Sequence, residues 1–286
     1  MKSIKIVGAM NVKNEEWIIE YSLTALSQIV DEIVIVDDGS IDKTVDIIKK
    51  FDKVTDLYLK PINGLRTEIA DWNRLTRMAQ KRGADWILYI DADEVFEPKM
   101  KVKIRELVKR EDAGEYRFRK ITLWHGLKYY RSDRPEEYSP FGDKLLNPIL
   151  VKNYHSLKWV DKPLWKKILR FFFYGEKFYP FVPQYGRYGL KGQIGKKIYV
   201  DDIIALHFNA VDFSRYIKKK FEYFYWEIKS KPRRSCPEMI QWIMKKIDET
   251  NLYLSPVKKE WFWGFEHLIK LPPGVKLDEN NIYFLS

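Results

Sequence analysis

Residues 86–97 read WILYIDADEVFE, and the fold turns on how this stretch is interpreted. Trp86, Ile87, Leu88, Tyr89 and Ile90 form a continuous apolar run of buried-strand length. The run stops on Asp91-Ala92-Asp93-Glu94. Three carboxylates in four residues at the end of an apolar strand are costly to place unless something cationic sits there. In an open α/β sheet, the carboxyl ends of the strands are where ligands bind. Hard oxygen donors suit Mg²⁺ or Mn²⁺, held between one or two carboxylates and substrate phosphates. The competing reading is a solvated acidic turn capping the next helix, with Pro98 at its first position. An Asp-x-Asp alone does not decide between them.

The sequence upstream supports the first reading. Residues 4–10 (IKIVGAM) are a short buried-strand run. Asn14 follows as a helix N-cap, with Glu15 and Glu16 in the first turn. Trp17, Ile18, Tyr21, Ala25 and Ile29 keep helical spacing. Residues 32–38 (EIVIVDD) are a second buried strand that ends on acids, turned by Gly39-Ser40, with Ser40 a plausible cap. Val45, Ile48 and Phe51 supply the inward stripe of the next helix, and residues 54–59 form a third strand. Residues 67–82 form a helix closed by Gly83 at C′. Strand and helix thus alternate four times over residues 4–93, which predicts a parallel sheet with right-handed crossovers. Two acidic strand ends then share one edge, an arrangement that resembles a nucleotide site. No Gly-x-Gly-x-x-Gly and no Walker A sequence is present, so the phosphates must be held another way.

The 286 residues, 45% hydrophobic and 32% charged, suffice for one large domain or two small ones. The net charge of +11 implies anionic partners without choosing among phosphates, lipids and nucleic acid. The one cysteine, Cys236, excludes an internal disulfide. The first residues do not resemble a signal peptide, and no window reaches the ~18 apolar residues of a membrane span. A cytoplasmic globular protein is expected.

The ordered set NVKNEEWIIEYSL, DEIVIVDDGSIDKT, the helix containing Asn73, and GADWILYIDADE resembles family 2 glycosyltransferases of the GT-A fold. The resemblance is close over residues 4–97 and loose beyond. It implies an α/β fold: a Rossmann-like, mostly parallel sheet with helices on both faces, and a C-terminal helical subdomain. It implies a hexosyltransferase-type enzyme that uses a nucleoside-diphosphate sugar of UDP, GDP or dTDP type. On that resemblance Asp38 bonds the base with Asp37 in support, and Asn11, Lys13 and Glu15 line the base and ribose pocket. Asp91 lies near the ribose or a metal-bound water, and Asp93 binds Mn²⁺ or Mg²⁺. His207, in IALHFN, would complete the metal site from a late strand, against the alternative of a satisfied buried histidine. Relatives often carry an Arg-Asn pair in the helix before the acidic strand. Here Trp72 precedes Asn73, which leaves Arg66 or Arg74 as candidates for the phosphate contact.

The second half is less informative. Residues 98–109 read as an exposed basic helix, and 115–124 as an antiparallel-type strand with Tyr116, Phe118 and Ile121 inward. Residues 132–143 read as a loop, and 144–152 as a strand that Pro148 assigns to an edge. Residues 159–190 mix aromatics with lysines and arginines. A core segment with a basic surface, peripheral contact with the cytoplasmic face of a membrane, and nucleic-acid binding compete there. No helix-turn-helix, RNP or zinc-finger pattern supports the last. Residues 200–208 form a strand. Residues 212–229 form a helix with Phe213, Tyr216, Ile217, Phe221, Phe224, Tyr225 and Ile228 on one face. Arg215, Lys218, Lys219 and Glu222 lie on the other, a pattern that reads as a docked amphipathic helix rather than a ligand site. Pro237 starts a further helix to 249. The expected division is 1–125 for the nucleotide-sugar half, 126–211 for the acceptor half and 212–286 for the helical extension.

Family 2 enzymes invert by direct displacement, so a carboxylate should act as general base towards a glycan or lipid-linked acceptor hydroxyl. Many relatives place an acidic pair about two dozen residues before the late histidine, but residues 178–199 hold no Asp or Glu. Asp161 is the first candidate, then Asp143 and Glu137. Two other readings differ in class. A sugar nucleotidyltransferase would open with a glycine-rich basic loop, where GAMNVKNEE has only Gly8. A non-catalytic sugar- or membrane-binding relative would tolerate loss of Asp93.

Overall fold

A computed structural model describes residues 3–62, 68–132, 148–160, 189–230, 237, 240–241, 244, 248–250 and 252–271. The first half alternates as expected: β1 (Ile6–Val12), α1 (Ile19–Ile29), β2 (Glu32–Asp37), α2 (Thr44–Ile48), β3 (Val54–Leu59), α3 (Glu68–Lys81) and β4 (Trp86–Asp91). Short β5 (Glu94–Phe96) and helix α4 (Met100–Leu107) follow. Then come β6 (Ala113–Trp124), β7 (Tyr129–Arg131), β8 (Ile149–Lys152), β9 (Lys158–Val160), β10 (Gly189–Lys191) and β11 (Lys196–Ala210). Helix α5 (Phe213–Ser230), β12 (Leu254–Pro256) and two 3-10 turns, Lys259–Trp261 and Glu266–Leu268, complete the described elements.

The main sheet runs β12-β7-β6-β8-β4-β1-β2-β3, with β11 beside β6 and β5 beside β11. Strands β3, β2, β1 and β4 are mutually parallel. The chain steps from β1 outward to β2 and β3, then crosses back to lay β4 on the other side of β1. That reversal makes the carboxyl ends of β1 and β4 a topological switch point, where side chains from two loops face a crevice. Register sets the acids level there: Asn11 pairs with Asp91, and Val12 with Asp37. This is the α/β GT-A arrangement expected, a mixed sheet whose central strands are parallel.

Alternation along the buried strands supplies two apolar layers. Ile6 and Met10 of β1 join Trp86, Leu88 and Ile90 of β4 against α1 and α4. Val7, Ala9, Ile87 and Tyr89 face α3, where Trp72 is 1% exposed and meets the Tyr89 ring edge-on at 5.5 Å. Each such side chain contributes about 1.5–3 kcal/mol by leaving water. Helix α3 ends as expected: Gly83 has φ 71°, its N–H donates to Gln80 O at 2.9 Å, and Ala84 N–H donates to Ala79 O at 3.2 Å.

Three local expectations need correcting. Asn14 does not cap α1, which starts at Ile19 after Ile18 without a side-chain cap. Asn14 has φ 52°, a conformation Asn tolerates, and its carboxamide oxygen accepts from Ile41 N–H at 2.9 Å, tying two loops together. Ser40 likewise does not cap α2, which starts at Thr44; its hydroxyl donates to Asp37 Oδ2 and accepts from Asn14 N–H. The strand after Pro148 is not an edge: β8 lies between β4 and β6, antiparallel to both. Pro148 precedes it, where no ladder donor is lost.

Candidate functional site

The loops after β1, β2 and β4, the end of β11 and the first turns of α5 surround a cavity of about 420 Å³. That is within the range of small-ligand sites. The cavity gathers Asn11, Lys13, Glu15, Asp38, Asp91, Asp93 and His207, seven of the residues singled out from sequence. Asp37 lies behind them. Its buried carboxylate accepts from the N–H groups of Gly39 and Ser40 at 3.0 and 2.8 Å, which shapes the turn that presents Asp38. Asp143, Asp161, Glu137 and Arg66 lie outside the described residues, as does most of 159–190.

On the nucleotide side Asp38 is already paired. One oxygen meets Lys60 Nζ and the other lies 3.7 Å from Lys13 Nζ. Lys60 also binds Asp71 Oδ2 at 2.8 Å. Burial opposes the Lys60 charge, but its hydrogen bonds to Asp38 and Asp71 outweigh that and hold the ammonium above its ordinary pKa. Asn73 and Arg74 are used elsewhere. Asn73 makes two 2.9 Å bonds to the backbone of Trp159 in β9, and the Arg74 guanidinium lies 3.7 Å from the centroid of the Tyr58 ring.

On the phosphate side Asp93 is 6% exposed, at the turn between β4 and β5. Its backbone oxygen accepts from Phe208 N–H at 2.8 Å, which fixes the turn against β11. Oδ1 faces His207 Nε2 at 3.7 Å, and Oδ2 accepts from Lys219 Nζ at 3.1 Å. Burial works against the Asp93 charge, but Lys219, His207 and Lys120 hold the carboxyl well below its usual range. Burial, with Lys120 and Lys219 nearby, pushes His207 down to about 3, so its imidazole is neutral at physiological pH. Its Nδ1 lies 3.2 Å from Thr122 Oγ1. Glu94 is drawn back to Lys120 at 2.8 Å; burial, opposed by Lys120, pushes its carboxyl up to about 7. Its other oxygen accepts from Asp91 N–H at 3.1 Å, so Glu94 braces the loop beside the cavity that Asp91 lines.

Among the described residues, no three His, Cys, Asp or Glu side chains gather into a metal-holding group. A Mg²⁺ or Mn²⁺ ion at a phosphate site usually takes only one or two protein ligands, the rest being phosphate and water. One carboxylate oxygen and one neutral imidazole nitrogen, facing each other across 3.7 Å, fit that requirement.

The sequence reading missed the contribution of α5. Part of its charged face turns inward: Arg215 and Lys219 bind Glu15 at 2.5 and 3.1 Å, while Lys218 and Glu222 stay exposed. The aromatic face divides along the helix: Tyr216 is buried and packs with Phe213 against Trp124, while Phe221 and Tyr225 are 51% and 57% exposed. The signal available was Arg215 and Lys219 at i, i+4 in RYIKKK, a few residues after His207. Glu15 correspondingly anchors α5 as well as bordering the cavity. Besides those cations it accepts from Trp17 Nε1 at 2.8 Å.

Residues 9–169 match the sequence model of glycosyl transferase family 2. An uncharacterized glycosyltransferase of Mycoplasma pneumoniae is 32% identical over 100 residues, covering 34% of this chain and 32% of that protein. One from Rickettsia bellii is 30% identical over 144 residues, covering 48% of this chain and 43% of its own. The chain thus matches less than half of the length of these curated relatives. In structure, it is similar to residues 1–349 of Staphylococcus aureus TarS, with TM-score 0.46 and 12% identity, covering 87% of this chain and 74% of that one. It is also similar to glucosyl-3-phosphoglycerate synthase from Mycobacterium tuberculosis, with TM-score 0.36 and 18% identity over 52% and 57% of the two chains.

Proposed function

The chain belongs to glycosyl transferase family 2, and from that premise we propose that it transfers a sugar from a nucleoside-diphosphate sugar to an acceptor hydroxyl, with inversion. The observation that carries the proposal is the meeting of Asp38, Asp91, Asp93 and His207 around one cavity at the switch point of the sheet. In this reading Asp38 and Lys13 receive the base and ribose, with Asn11 and Glu15 at the rim. Asp91 lies towards the ribose. Asp93 and His207 would hold Mn²⁺ or Mg²⁺, which when bound neutralises the diphosphate leaving group.

The acceptor oxygen attacks the anomeric carbon while the bond from that carbon to the diphosphate oxygen breaks. The nucleoside diphosphate leaves with the electron pair, and a carboxylate takes the hydroxyl proton. Asp161 is the first candidate for that base, then Asp143 and Glu137. The acceptor belongs to the same proposal: a glycan or lipid-linked glycan, approached with residues 159–190 near the cytoplasmic face of a membrane. No helix among the described residues is long and apolar enough to cross one.

The test is a thermal-shift panel of UDP, GDP, dTDP and CDP, each with and without Mn²⁺, on wild type and Asp93→Ala. One nucleotide should stabilise the wild type, by about 2.7 kcal/mol at a hundredfold excess over its Kd. The shift should need Mn²⁺ and vanish in the variant. A folded protein that responds to no nucleotide would point instead to a non-catalytic binding module.

A further inference from the structure

Helix α5 carries a cation to the carboxylate assigned to the metal. Lys219 Nζ lies 3.1 Å from Asp93 Oδ2 and 3.1 Å from Glu15 Oε1. The helix cannot easily withdraw. Arg215, one turn earlier, donates to Glu15 Oε2 at 2.5 Å and to the Asn14 carbonyl at 3.0 Å, and its guanidinium lies 5.0 Å from the centroid of the Trp17 ring. The Lys219 side chain, 27% exposed like that of Arg215, ends in a single ammonium on a four-carbon stem. Its long stem can swing while Arg215 holds the backbone in place.

A divalent cation between Asp93 Oδ1 and His207 Nε2 would share one carboxylate with this ammonium. Two like charges so close repel far more strongly than thermal energy at the dielectric of a partly buried site. Asp93, in turn, cannot stay charged and buried without a counter-ion. The two cations therefore compete for one anion, and each satisfies it in the other's absence.

We propose that Lys219 is a tethered counter-ion that excludes the divalent cation from Asp93 and leaves for the donor's diphosphate when cation and nucleotide sugar bind together. Metal alone then binds weakly, and metal and nucleotide strengthen each other's binding by the same factor. The vacated ammonium stands in the same cavity as Asp38 and Asp91. There it can supply a contact to the phosphates. This rests on the donor site proposed above, but its first consequence concerns the metal without nucleotide.

The experiment measures Mn²⁺ affinity by the spin-resonance signal of the free ion, with no nucleotide present. Lys219→Met should bind Mn²⁺ about tenfold more tightly than wild type, and Lys219→Arg no more tightly than wild type. Equal or weaker binding by the methionine variant overturns the proposal, as does absence of Mn²⁺ binding in all three proteins. Should the methionine variant fold poorly, amine labelling of the wild type read by mass spectrometry decides. Mn²⁺ should speed labelling of Lys219 and leave the exposed Lys43 unchanged; an unchanged Lys219 rate overturns the proposal. A protein that binds no nucleotide can still pass these tests, and one that binds nucleotide without freeing Lys219 fails them.

Discussion

Glu32 opens β2 and takes three donors at once: Arg82 Nε at 2.6 Å, Lys5 Nζ at 2.6 Å and Thr55 Oγ1 at 3.0 Å. The Arg82 hydrogen bond is the main reason its carboxyl is pulled down to about 2, with Lys5 and Thr55 adding to it against the cost of burial. A carboxyl whose pKa is lower folded than unfolded contributes stability that is complete above its unfolded value. That stability fades as pH falls towards the folded value. The wild-type melting temperature should therefore drop between about pH 5 and pH 2. Glu32→Gln should lose about 3 °C less over that window, allowing for solvent screening. Parallel melting curves of the two proteins would exclude the effect. Lys60 shows why some residues of the candidate site escape a sequence reading. Asp38 announces itself at the end of an apolar run, but its partner lies 22 positions further on. The two meet because β2 and β3 pair with Asp37 level with Leu59, a register that no local pattern encodes.

At the level of elements, the parallel core was legible because buried strands are continuous apolar runs and helices repeat every 3.6 residues. Helix α5 was legible too, but not its orientation. Two faces of comparable width, one aromatic and one cationic, leave the choice to the groove that receives them. Here the groove takes from both: Arg215 and Lys219 meet Glu15 and Asp93, while Phe213 and Tyr216 pack on Trp124. Strand β8 was misplaced for a related reason: Pro148 constrains only its own position, and the strand begins just after it. The pairing of β6 with β11 depends on glycine where the backbones come closest. A Cβ on Gly114 would collide with the carbonyl oxygen of Ile194, and one on Gly195, at φ +102°, would lie 2.8 Å from Gly114 N. Neither obstacle is a flexible side-chain tip. Gly114→Ala should cost about 1–3 kcal/mol in urea unfolding, the usual penalty for overpacking. An unchanged midpoint would mean that the turn before β11 moves aside freely.

Across the whole molecule, the C-terminal turns close over the start of α1, so residues far apart in sequence share one apolar cluster. Trp17, Ile18 and Tyr21 from the first loop and helix pack with Val95, Leu206 and Phe208, and with Trp261 and Ile269 from the last described stretch. Polar ties fix the same contact: Lys270 N–H donates to Trp17 O at 2.7 Å, and Trp263 Nε1 donates to Phe96 O at 2.7 Å. Trp17 is the link to the candidate site, because its indole also donates to Glu15, which holds Arg215 and Lys219. A strain introduced at residue 261 therefore reaches both β5, which follows Asp93, and the anchor of α5. Trp261 is 9% exposed, and truncating such a ring leaves a cavity that its neighbours refill only in part. Trp261→Ala should cost about 3–5 kcal/mol. Because the shared cluster joins early and late described segments, the loss should appear in one transition, with far-ultraviolet dichroism and tryptophan fluorescence falling together. Two separated transitions, with the nucleotide-induced shift retained after the first, would mean that the closing turns are an appendage and that the parallel half holds its site unaided.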